Sequence, residues 1–543
     1  MRANQVQSRV RIRSSLSLLP LLLSLGCSGA GLTRVDEAAD EHTEQVGQAL
    51  SDPLSVCNQD PRVNSGLVPV AVCAGARVFF DETFGGNGRT CGTCHAAANN
   101  YTLDSAFIAA LPASDPLFVN ENPAFKLSSL ESSPALRSVN ALIRENVDGF
   151  QDFNNKFVAR STPHTLSLAT SLTRDPGDHT SASVLQRTGW GGDGSPGDGT
   201  LRNFVDGAIK QHFTRDTKRK PGESFRVASD TEKDQLLAFQ LSLGRTKDIN
   251  LSQVTFADAG ATAGKTAFMD PLVGRCNECH SNAGANALAS GKNSNFDTGT
   301  NRLPPNLGFG SFPDGTLMMD GGFGGQDLTI ANFSTKLQGP VMDAFGDGTF
   351  NVPPLIEAAD TGPFFHSNAS GASGDPTANI ESAVSFYNSP NFLKSPAAHD
   401  LDIKFGGQTV KVEPSVVDSI GRMLRVLNAS FNLAMAKQRM DAAHELNAKY
   451  WGYRDDIQKG LLNLASEEIA DAIGVLKTVS PDLQPAQQLS LASANTLLSQ
   501  AIAATDPAVR QARTESALTL VQSAKSALGT NMNFQLGAGN LMF

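Results

Sequence analysis

Cys91-Gly92-Thr93-Cys94-His95 is the stretch of sequence that decides the fold, and its pattern returns as Cys276-Asn277-Glu278-Cys279-His280. In a C-x-x-C-H segment the two thiols can be joined covalently to the vinyl groups of a haem, and the imidazole that follows can bind the iron. Four of the seven cysteines fall into the two motifs, and each motif ends in one of only nine histidines. The sequence therefore predicts two covalently attached haem c groups, with His95 and His280 as proximal ligands.

Two other uses of a C-x-x-C pair compete with haem attachment. A dithiol redox motif has no use for a histidine directly after the second cysteine, yet both copies have one. A structural zinc site requires its two cysteine pairs roughly 15 to 20 residues apart, whereas most of a domain separates Cys94 from Cys276. Neither alternative explains both motifs.

The length and composition are those of an ordinary globular protein. With 543 residues, 40% hydrophobic and 18% charged, the chain is long enough for three or four units at about 150 residues each. The net charge of −10 argues against a nucleic-acid partner, because neutralising phosphates requires basic patches.

The beginning of the chain has the order of a secretory signal. Four arginines within residues 2–13 precede an apolar stretch over residues 16–25, which is shorter than the ~20 apolar residues needed to span a bilayer. The junction Leu23-Ser24-Leu25-Gly26-Cys27-Ser28 resembles a bacterial lipobox, in which Cys27 becomes the lipidated first residue. Ser24 departs from the usual aliphatic residue, so ordinary cleavage is the alternative. Either way we expect export to the periplasm or cell surface, with membrane attachment, such as to the outer membrane, only if Cys27 is lipidated.

Cys57 and Cys73 remain once the haem motifs and Cys27 are set aside. In an oxidising compartment these two cysteines are expected to form a disulfide that pins the segment leading into the first motif.

The two motifs, the loop-rich stretches and the shift in composition near residue 432 predict a mainly α protein with two cytochrome c-like haem domains, long loops and a C-terminal α-helical region. The predicted segments are a signal peptide over 1–27, a linker over 28–52, an N-terminal cytochrome c-like haem domain over 53–250, a second such domain over 251–430 and the C-terminal helical region over 431–543.

Local patterns place individual helices within these segments. Asp230 and Thr231 are predicted to cap a helix that stops before Gly244. Apolar residues at steps of three and four predict an amphipathic helix after Pro414. Each motif is preceded by a weak internal repeat, in which a glycine is followed by a basic residue and an apolar–aromatic pair. In the C-terminal region, the positions of the prolines predict three or four helices.

The motifs and their flanks resemble the bacterial dihaem cytochrome c peroxidase and MauG superfamily over roughly residues 70–430. The resemblance is carried by four segments: Ala76-Arg77-Val78-Phe79-Phe80-Asp81, Val352-Pro353-Pro354-Leu355, Thr361-Gly362-Pro363-Phe364-Phe365-His366-Ser367 and Ile380-Glu381-Ser382-Ala383-Val384-Ser385-Phe386-Tyr387-Asn388.

The resemblance implies the surroundings of the second haem. Tyr387 falls where peroxidases have a methionine ligand and MauG-like proteins a tyrosine, so it is the implied second axial ligand, whose phenolate would lower the potential of the iron. If Tyr387 is only a half-buried aromatic residue, Met318, Met319 and Met342 are the alternatives. His366 is the implied hydrogen-bonding group near this haem, with a satisfied core histidine as the alternative.

The resemblance also implies residues around the first haem. Trp190 matches the tryptophan that conducts electrons between the haems, with a packing role as the alternative. Phe204 replaces a glutamine of the peroxide pocket, and a glutamate expected further along is absent, leaving His212, Arg215 and Asp216 as the nearest polar residues. Peroxide cleavage requires a general acid/base, and His212 has the best suited reference pKa.

Two further features are implied by the same resemblance. Because the sequence has no histidine between His95 and His164, the sixth position of the first haem is expected to be open. A calcium ion between the domains is the other expectation, since Thr361 and Pro363 match positions that offer carbonyls, although Ser161 stands where an asparagine is usual.

The expected function is that of an exported dihaem c-type oxidoreductase. It would reduce hydrogen peroxide at the first haem, with electrons from an external donor, such as a small cytochrome or cupredoxin, relayed through the second haem. Rubber oxygenases, distant dihaem relatives, share a phenylalanine like Phe204, so an oxygenase acting on an apolar substrate is the alternative. A surface electron-transfer protein without enzymatic activity is the third reading.

Overall fold

α-Helices form most of the secondary structure in the computed structural model, as the sequence predicted. The structure describes residues 53–125, 127, 136–137, 141–146, 157–181, 184–190, 199–303, 320–322, 337–338, 341–342, 346–370, 380–409, 412–477 and 482–543. All of them belong to one compact unit, Gln48–Phe543. The predicted signal peptide over 1–27, its lipidation site Cys27 and the linker over 28–52 lie outside the described residues, as do Met318 and Met319.

The α-helices are numbered in chain order through the described residues. Those up to the second motif are α1 Pro53–Cys57, α2 Pro61–Asn64, α3 Val70–Asp81, α4 Cys91–Cys94, α5 Ser105–Ala110, α6 Leu201–His212, α7 Asp230–Gln240, α8 Ala259–Met269 and α9 Cys276–Cys279. Those that follow are α10 Ile380–Ser385, α11 Pro390–Leu393, α12 Pro396–Lys404, α13 Pro414–Tyr450, α14 Asp455–Lys477, α15 Pro485–Ala503 and α16 Pro507–Leu528.

Short 3-10 helices and paired strands connect these helices. The 3-10 helices are Ala97–Asn99, Pro116–Glu121, Leu168–Thr170, Leu251–Gln253, Ser281–Ala283, Thr300–Arg302, Ala358–Asp360, Phe386–Asn388 and Ala538–Leu541. The strands pair antiparallel, two by two: β1 Ile143–Asn146 with β2 Phe157–Arg160, β3 Thr255–Phe256 with β8 Gly529–Thr530, β4 Asn295–Phe296 with β7 Phe350–Asn351, and β5 Leu337–Gln338 with β6 Val341–Met342.

The helix leading into each motif packs against a second helix through a glycine. In α3, a Cβ at Gly75 would lie 1.9 Å from the carbonyl oxygen of Gln235 in α7. In α8, a Cβ at Gly264 would lie 1.9 Å from the carbonyl oxygen of Ser419 in α13. Only a residue without a side chain allows such an approach. The weak internal repeat therefore corresponds to two similar helix pairs, one ahead of each motif.

The N-terminal cap of α7 differs from the sequence prediction. Ser229 is the cap: its Oγ accepts a hydrogen bond from the Glu232 backbone N–H at 3.3 Å, and Oε2 of Glu232 accepts from the Ser229 N–H at 2.7 Å. The expectation that Asp230 and Thr231 cap this helix was wrong, because a glutamate three residues after Ser229 completes a capping box. The helix ends before Gly244, as expected, at Gln240.

The helix predicted after Pro414 is confirmed, and it is longer than the pattern indicated. α13 begins at Pro414 and continues for 37 residues to Tyr450. It packs against α8, α14 and α16, so most of its length is buried. The boundary expected at residue 431 falls inside this helix, which the second predicted haem domain and the C-terminal helical region therefore share.

Proline positions divide the region after α14. Pro485 and Pro507 occupy the first positions of α15 and α16, where a missing N–H costs nothing and the fixed φ suits a helix. After α16 the chain returns to the segment between the two motifs, because β8 pairs with β3 and Arg245 bridges to Leu536. No helix among the described residues is long and apolar enough to cross a membrane.

Candidate functional site

Each C-x-x-C-H motif lies in the wall of a large cavity. The cysteines and the histidine of residues 91–95 line one cavity of about 1580 Å³, called here the first cavity. Those of residues 276–280 line the second cavity, of about 1840 Å³. Both volumes include space that is open to solvent. The two motifs therefore lie in the walls of two clefts of similar size.

The local structure of the two motifs is the same. Each C-x-x-C segment forms a single helical turn, closed by a hydrogen bond from the histidine N–H to the first cysteine carbonyl, at 3.0 Å for His95 and 2.9 Å for His280. Residues three apart on such a turn face the same side. In α4 the turn is also fixed by a bond from the Thr90 N–H to Thr93 Oγ1 at 3.0 Å.

Both histidines are oriented by a backbone carbonyl. Nδ1 of His95 lies 3.1 Å from the Tyr101 carbonyl oxygen, and Nδ1 of His280 lies 3.1 Å from the Pro353 carbonyl oxygen. A carbonyl only accepts hydrogen bonds, so Nδ1 carries the proton and Nε2 keeps the lone pair that can bind a metal. Metal-binding histidines are typically held in this way.

The electrostatics favour neutral ligands over reactive thiols. Desolvation lowers the pKa of His95 and of His280 to about 4, so both imidazoles are neutral near pH 7. Desolvation also raises the pKa of the Cys91, Cys276 and Cys279 thiols to about 12. A dithiol redox motif needs a thiol with a lowered pKa. The residues present therefore fit a covalently attached haem at each motif better than a redox dithiol.

The two cavities share a wall. Residues 161–164, Trp190 and residues 351–354 line both of them. The indole N–H of Trp190 donates to the Ser161 carbonyl at 3.0 Å, and the Trp190 carbonyl accepts from the Asn351 N–H at 3.2 Å. Trp190, which the sequence suggested as the residue between two haems, is thus held between the two cavities.

One face of α6 lines the first cavity. Phe204, Ala208 and His212, spaced four residues apart, all border it. Phe204 and His212 therefore lie together in the cavity of His95. Arg215 and Asp216 are not among the residues that border it, and Asp216 Oδ1 instead accepts from the Lys218 N–H at 2.9 Å and from Ser224 Oγ at 2.8 Å.

Glu145 is a residue of the first cavity that sequence reasoning missed. It lies on β1, borders the cavity, and its Oε2 is 3.3 Å from Nη1 of Arg160 on β2. Burial raises the pKa of the Glu145 carboxyl, although the Arg160 guanidinium acts in the opposite direction. Arg160 also pairs with Asp320, at 2.6 Å between Nε and Oδ2. No motif marks Glu145, since only the β1–β2 hairpin brings it to this cavity.

His164 was also missed as a site residue. It lies in the shared wall, bordering both cavities, and burial lowers its pKa. The nearby Glu357 raises the His164 pKa and Arg245 lowers it, and these two residues form a buried ion pair with Nε 2.5 Å from Oε1. In the sequence, His164 was considered only because it is the next histidine after His95, and no role was predicted for it.

Tyr387 borders the second cavity together with His280. Burial raises the pKa of its phenol, and the neighbouring Cys279 and Cys276 raise it further. The hydroxyl is therefore neutral unless a cation is placed beside it. The ring of Phe392 meets the Tyr387 ring edge-on, with centroids 4.8 Å apart.

His366 is deeply buried in the wall of the second cavity, with 3% of its surface exposed. Its ring stacks on Phe350 with centroids 4.2 Å apart, and its Nδ1 has no hydrogen-bond partner among the described residues. Desolvation lowers the pKa of His366 to about 4. A buried ring nitrogen of this kind can serve a group bound in the cavity. Of the alternative ligands, Met342 lies in β6.

The residues implied for calcium also border the second cavity. Thr361 and Pro363 both line it, and Thr361 Oγ1 donates to the Glu357 carbonyl at 2.9 Å. Ser161 Oγ donates to the His366 carbonyl at 3.2 Å. In the described ranges there is no group of three or more His, Cys, Asp or Glu side chains that could hold a metal ion. The calcium ion stays a prediction.

Cys57 and Cys73 form a disulfide that joins α1 to α3. Both cysteines are fully buried. The bond fastens the helix that leads into the first motif, as expected from the cysteine count.

Comparison of the chain with protein-family models, with curated proteins and with solved structures finds no match. The functional argument therefore rests on the two motifs and on the geometry of the two cavities.

Proposed function

We propose that the protein is an exported dihaem c-type oxidoreductase with two cytochrome c-like haem domains, which reduces hydrogen peroxide in the first cavity using electrons delivered through the second. The observation that carries this proposal is that two cavities, each with a C-x-x-C-H motif, share a wall that contains Trp190. Two redox groups on either side of a wall that contains an aromatic side chain are suited to electron transfer between them.

A haem c bound at each motif would supply one-electron chemistry and a metal on which an oxidant can bind. The protein residues then have distinct tasks. His95 and His280 are held by carbonyl groups so that each presents Nε2 as a ligand. In the second cavity, Tyr387 offers a phenol as the other ligand, and His366 offers a buried ring nitrogen for a hydrogen bond.

Proton movement in the first cavity is assigned to Glu145 and His212. Reduction of peroxide requires a proton to be moved from one oxygen to the other, which a carboxyl or an imidazole can do. Glu145 borders the cavity with a raised pKa and with Arg160 beside it. Arg160 fixes the orientation of the carboxyl. Glu145 thus supplies the acid/base group whose apparent absence from the sequence counted against peroxidase chemistry.

Oxygenation of an apolar substrate is the second candidate function. It is favoured by the apolar side chains that line the first cavity, which include Phe204, Val205, Ile209, Leu201, Leu166 and Ile143. Such a lining would accommodate a hydrocarbon together with oxygen.

The test uses the exported protein with both haems attached, verified by mass spectrometry. Its absorption spectrum is recorded before and after addition of hydrogen peroxide, in the oxidised and in the one-electron-reduced state. We expect hydrogen peroxide to oxidise the protein rapidly. When a small electron-donor protein is present, we expect repeated turnover of peroxide. A six-coordinate low-spin spectrum that peroxide leaves unchanged in both states contradicts the peroxidase and favours a pure electron-transfer protein. A stable oxygen adduct favours the oxygenase.

Export and lipidation belong to the same proposal. Mass spectrometry of the mature protein distinguishes an acylated Cys27 from ordinary cleavage. The protein is then expected in the periplasm or at the cell surface, where haem attachment to C-x-x-C-H motifs takes place.

A further inference from the structure

The loop after the first motif, residues 96–102, carries the carbonyl group that orients His95. The Tyr101 carbonyl oxygen lies 3.1 Å from Nδ1 of His95. The loop turns tightly, since Asn100 and Tyr101 both have left-handed backbones, with φ of 52° and 60°. This conformation is uncommon for residues other than glycine. Two such residues in succession require support from surrounding structure.

Part of that support comes from α14, in the C-terminal helical region. Nδ2 of Asn100 donates to the Asp360 carbonyl at 3.3 Å and to Oδ2 of Asp471, on α14, at 3.5 Å. On the other side, Thr102 Oγ1 donates to the Thr162 carbonyl at 2.6 Å. The loop is therefore fastened at both ends of its turn, once to the cavity wall and once to α14.

The Tyr101 side chain faces a buried ion pair of the same region. Tyr101 is 3% exposed, and its hydroxyl has no hydrogen-bond partner among the described residues. Burial raises the pKa of the hydroxyl, while the nearby charge of Arg439 lowers it and that of Glu468 raises it. Arg439 on α13 and Glu468 on α14 pair at 2.6 Å between Nη1 and Oε1. The C-terminal helices thus reach the residue that holds His95.

The segment over residues 536–543 completes this support. Arg439 Nε donates to the Asn540 carbonyl at 2.9 Å. The Phe543 ring packs on Phe80 with centroids 4.2 Å apart. Phe80 in turn lies against the first motif, since a Cβ at Gly92 would be 2.3 Å from Phe80 Cδ1.

The second motif is oriented differently. The carbonyl that holds His280 belongs to Pro353, in the wall shared by the cavities. None of the contacts just described involves Pro353. Among the described residues, the contacts given above connect the C-terminal helical region to the carbonyl that orients His95 and not to the one that orients His280.

We propose that the C-terminal helical region positions the proximal ligand of the first haem, with Asp471 and Asn100 as positioning residues that hold the Tyr101 carbonyl on His95. The inference rests on the proposed function in assuming a haem at residues 91–95. Donation of the Nδ1–H of His95 to a carbonyl makes the imidazole a stronger ligand, which stabilises the oxidised iron. Loosening the loop should therefore shift the reduction potential of the first haem to more positive values and leave that of the second haem in place.

The experiment compares three variants of the full holoprotein. Asn100→Gly keeps the left-handed backbone accessible and removes only the side-chain tether. Asp471→Ala removes the acceptor on α14, whereas Asp471→Asn retains an oxygen that Asn100 can still bond. Reduction potentials of both haems are measured by spectroelectrochemical titration, and the iron–imidazole stretching band by resonance Raman spectroscopy.

Asn282→Gly is the matched control, because Asn282 follows the second motif, has φ of 59°, and accepts from the Leu251 N–H at 3.0 Å. We expect Asn100→Gly and Asp471→Ala to shift the first haem to a more positive potential and to lower its iron–imidazole frequency. Asp471→Asn should resemble the unmodified protein, and Asn282→Gly should leave the first haem unchanged.

The positioning role is overturned if the reduction potential of the first haem and its iron–imidazole band are unchanged in both Asn100→Gly and Asp471→Ala. An equal shift of both haems does so as well, because it indicates general loosening. If the unmodified protein carries both haems and does not reduce peroxide, the proposed reaction fails, while the variant shifts still decide the positioning role.

Discussion

The indole N–H of Trp190 donates a hydrogen bond to the Ser161 carbonyl at 3.0 Å, and this bond holds the indole in the wall shared by the two cavities. The bond is to the backbone, so the position of the ring does not depend on the identity of residue 161. Trp190 thus lies in the wall between the sites built on the two motifs, together with residues 161–164 and 351–354.

Replacing Trp190 by Phe should slow electron transfer between the haems. The smaller ring removes both the indole and its hydrogen bond, so we expect the peroxide-driven oxidation of the second haem to slow by roughly tenfold, a barrier change of about 1.4 kcal/mol. Stopped-flow absorption measures this rate. Trp451→Phe is the control, because Trp451 is 37% exposed and borders neither cavity. Equal rates in the Trp190 variant and the unmodified protein would exclude this path.

Replacing Glu145 by Gln should reduce peroxide turnover without loss of either haem. The amide keeps the shape but cannot exchange a proton, and loss of an acid/base group lowers kcat by roughly 100-fold. Initial rates with a small donor protein measure the effect. Glu121→Gln removes an exposed carboxylate that pairs with Arg137 and should leave the rate unchanged. Full activity of the Glu145 variant, with reduced activity of His212→Gln, would assign the proton transfer to His212.

Replacing Tyr387 by Phe should change the spectrum of the second haem. The ring and its packing on Phe392 stay, and only the hydroxyl is lost. A loss of the phenolate-to-iron absorption and a more positive potential are expected. Tyr453→Phe, at a residue that is 50% exposed, is the control. A second-haem spectrum identical to that of the unmodified protein would remove Tyr387 as a ligand.

Stability should depend on pH through the carboxyl groups near the first-motif loop. Burial raises the pKa of Glu468 to about 7 and that of Asp471 to about 6. The folded protein therefore keeps protons that the unfolded chain releases, so the free energy of unfolding decreases as pH rises from about 4 to about 7, by roughly 1.4 kcal/mol for each unit of pKa shift. Urea denaturation at several pH values measures this slope.

Asp471→Asn should flatten that dependence, because the amide does not titrate. Glu445→Gln is the comparison, since Glu445 is more exposed and pairs with Lys449 on the surface of α13. A slope that persists in full in the Asp471 variant would assign the effect to Glu468 or to the buried Asp360, whose pKa is also raised.

The parts of the site that the sequence predicted are those determined by local spacing. The two cysteines and the histidine of each motif lie within five residues, and both motifs form the same single helical turn. Trp190, Phe204, His366 and Tyr387 came from a resemblance in local segments. Trp190 borders both cavities, and each of the others borders one of them.

The parts that sequence reasoning missed depend on distant contacts. Glu145 reaches the first cavity only through the pairing of β1 with β2. His164 gains its place through the wall that both cavities share. The cap of α7 at Ser229 was missed although its signal, Glu232 three residues later, is local. The continuity of α13 through residue 431 was missed although residues 422–450 contain no proline or glycine that would end a helix.

The contacts of residues 536–543 also bear on the order of assembly. Arg62 donates to the Leu541 carbonyl at 2.8 Å across a separation of 479 residues, and Phe543 covers the ring that lies on the first motif. Contacts between such distant residues form late, because the loss of chain entropy precedes the gain from the contact. The first motif is therefore expected to stay accessible through most of folding and to be enclosed late, so a group that attaches to Cys91 and Cys94 would be loaded before this closure.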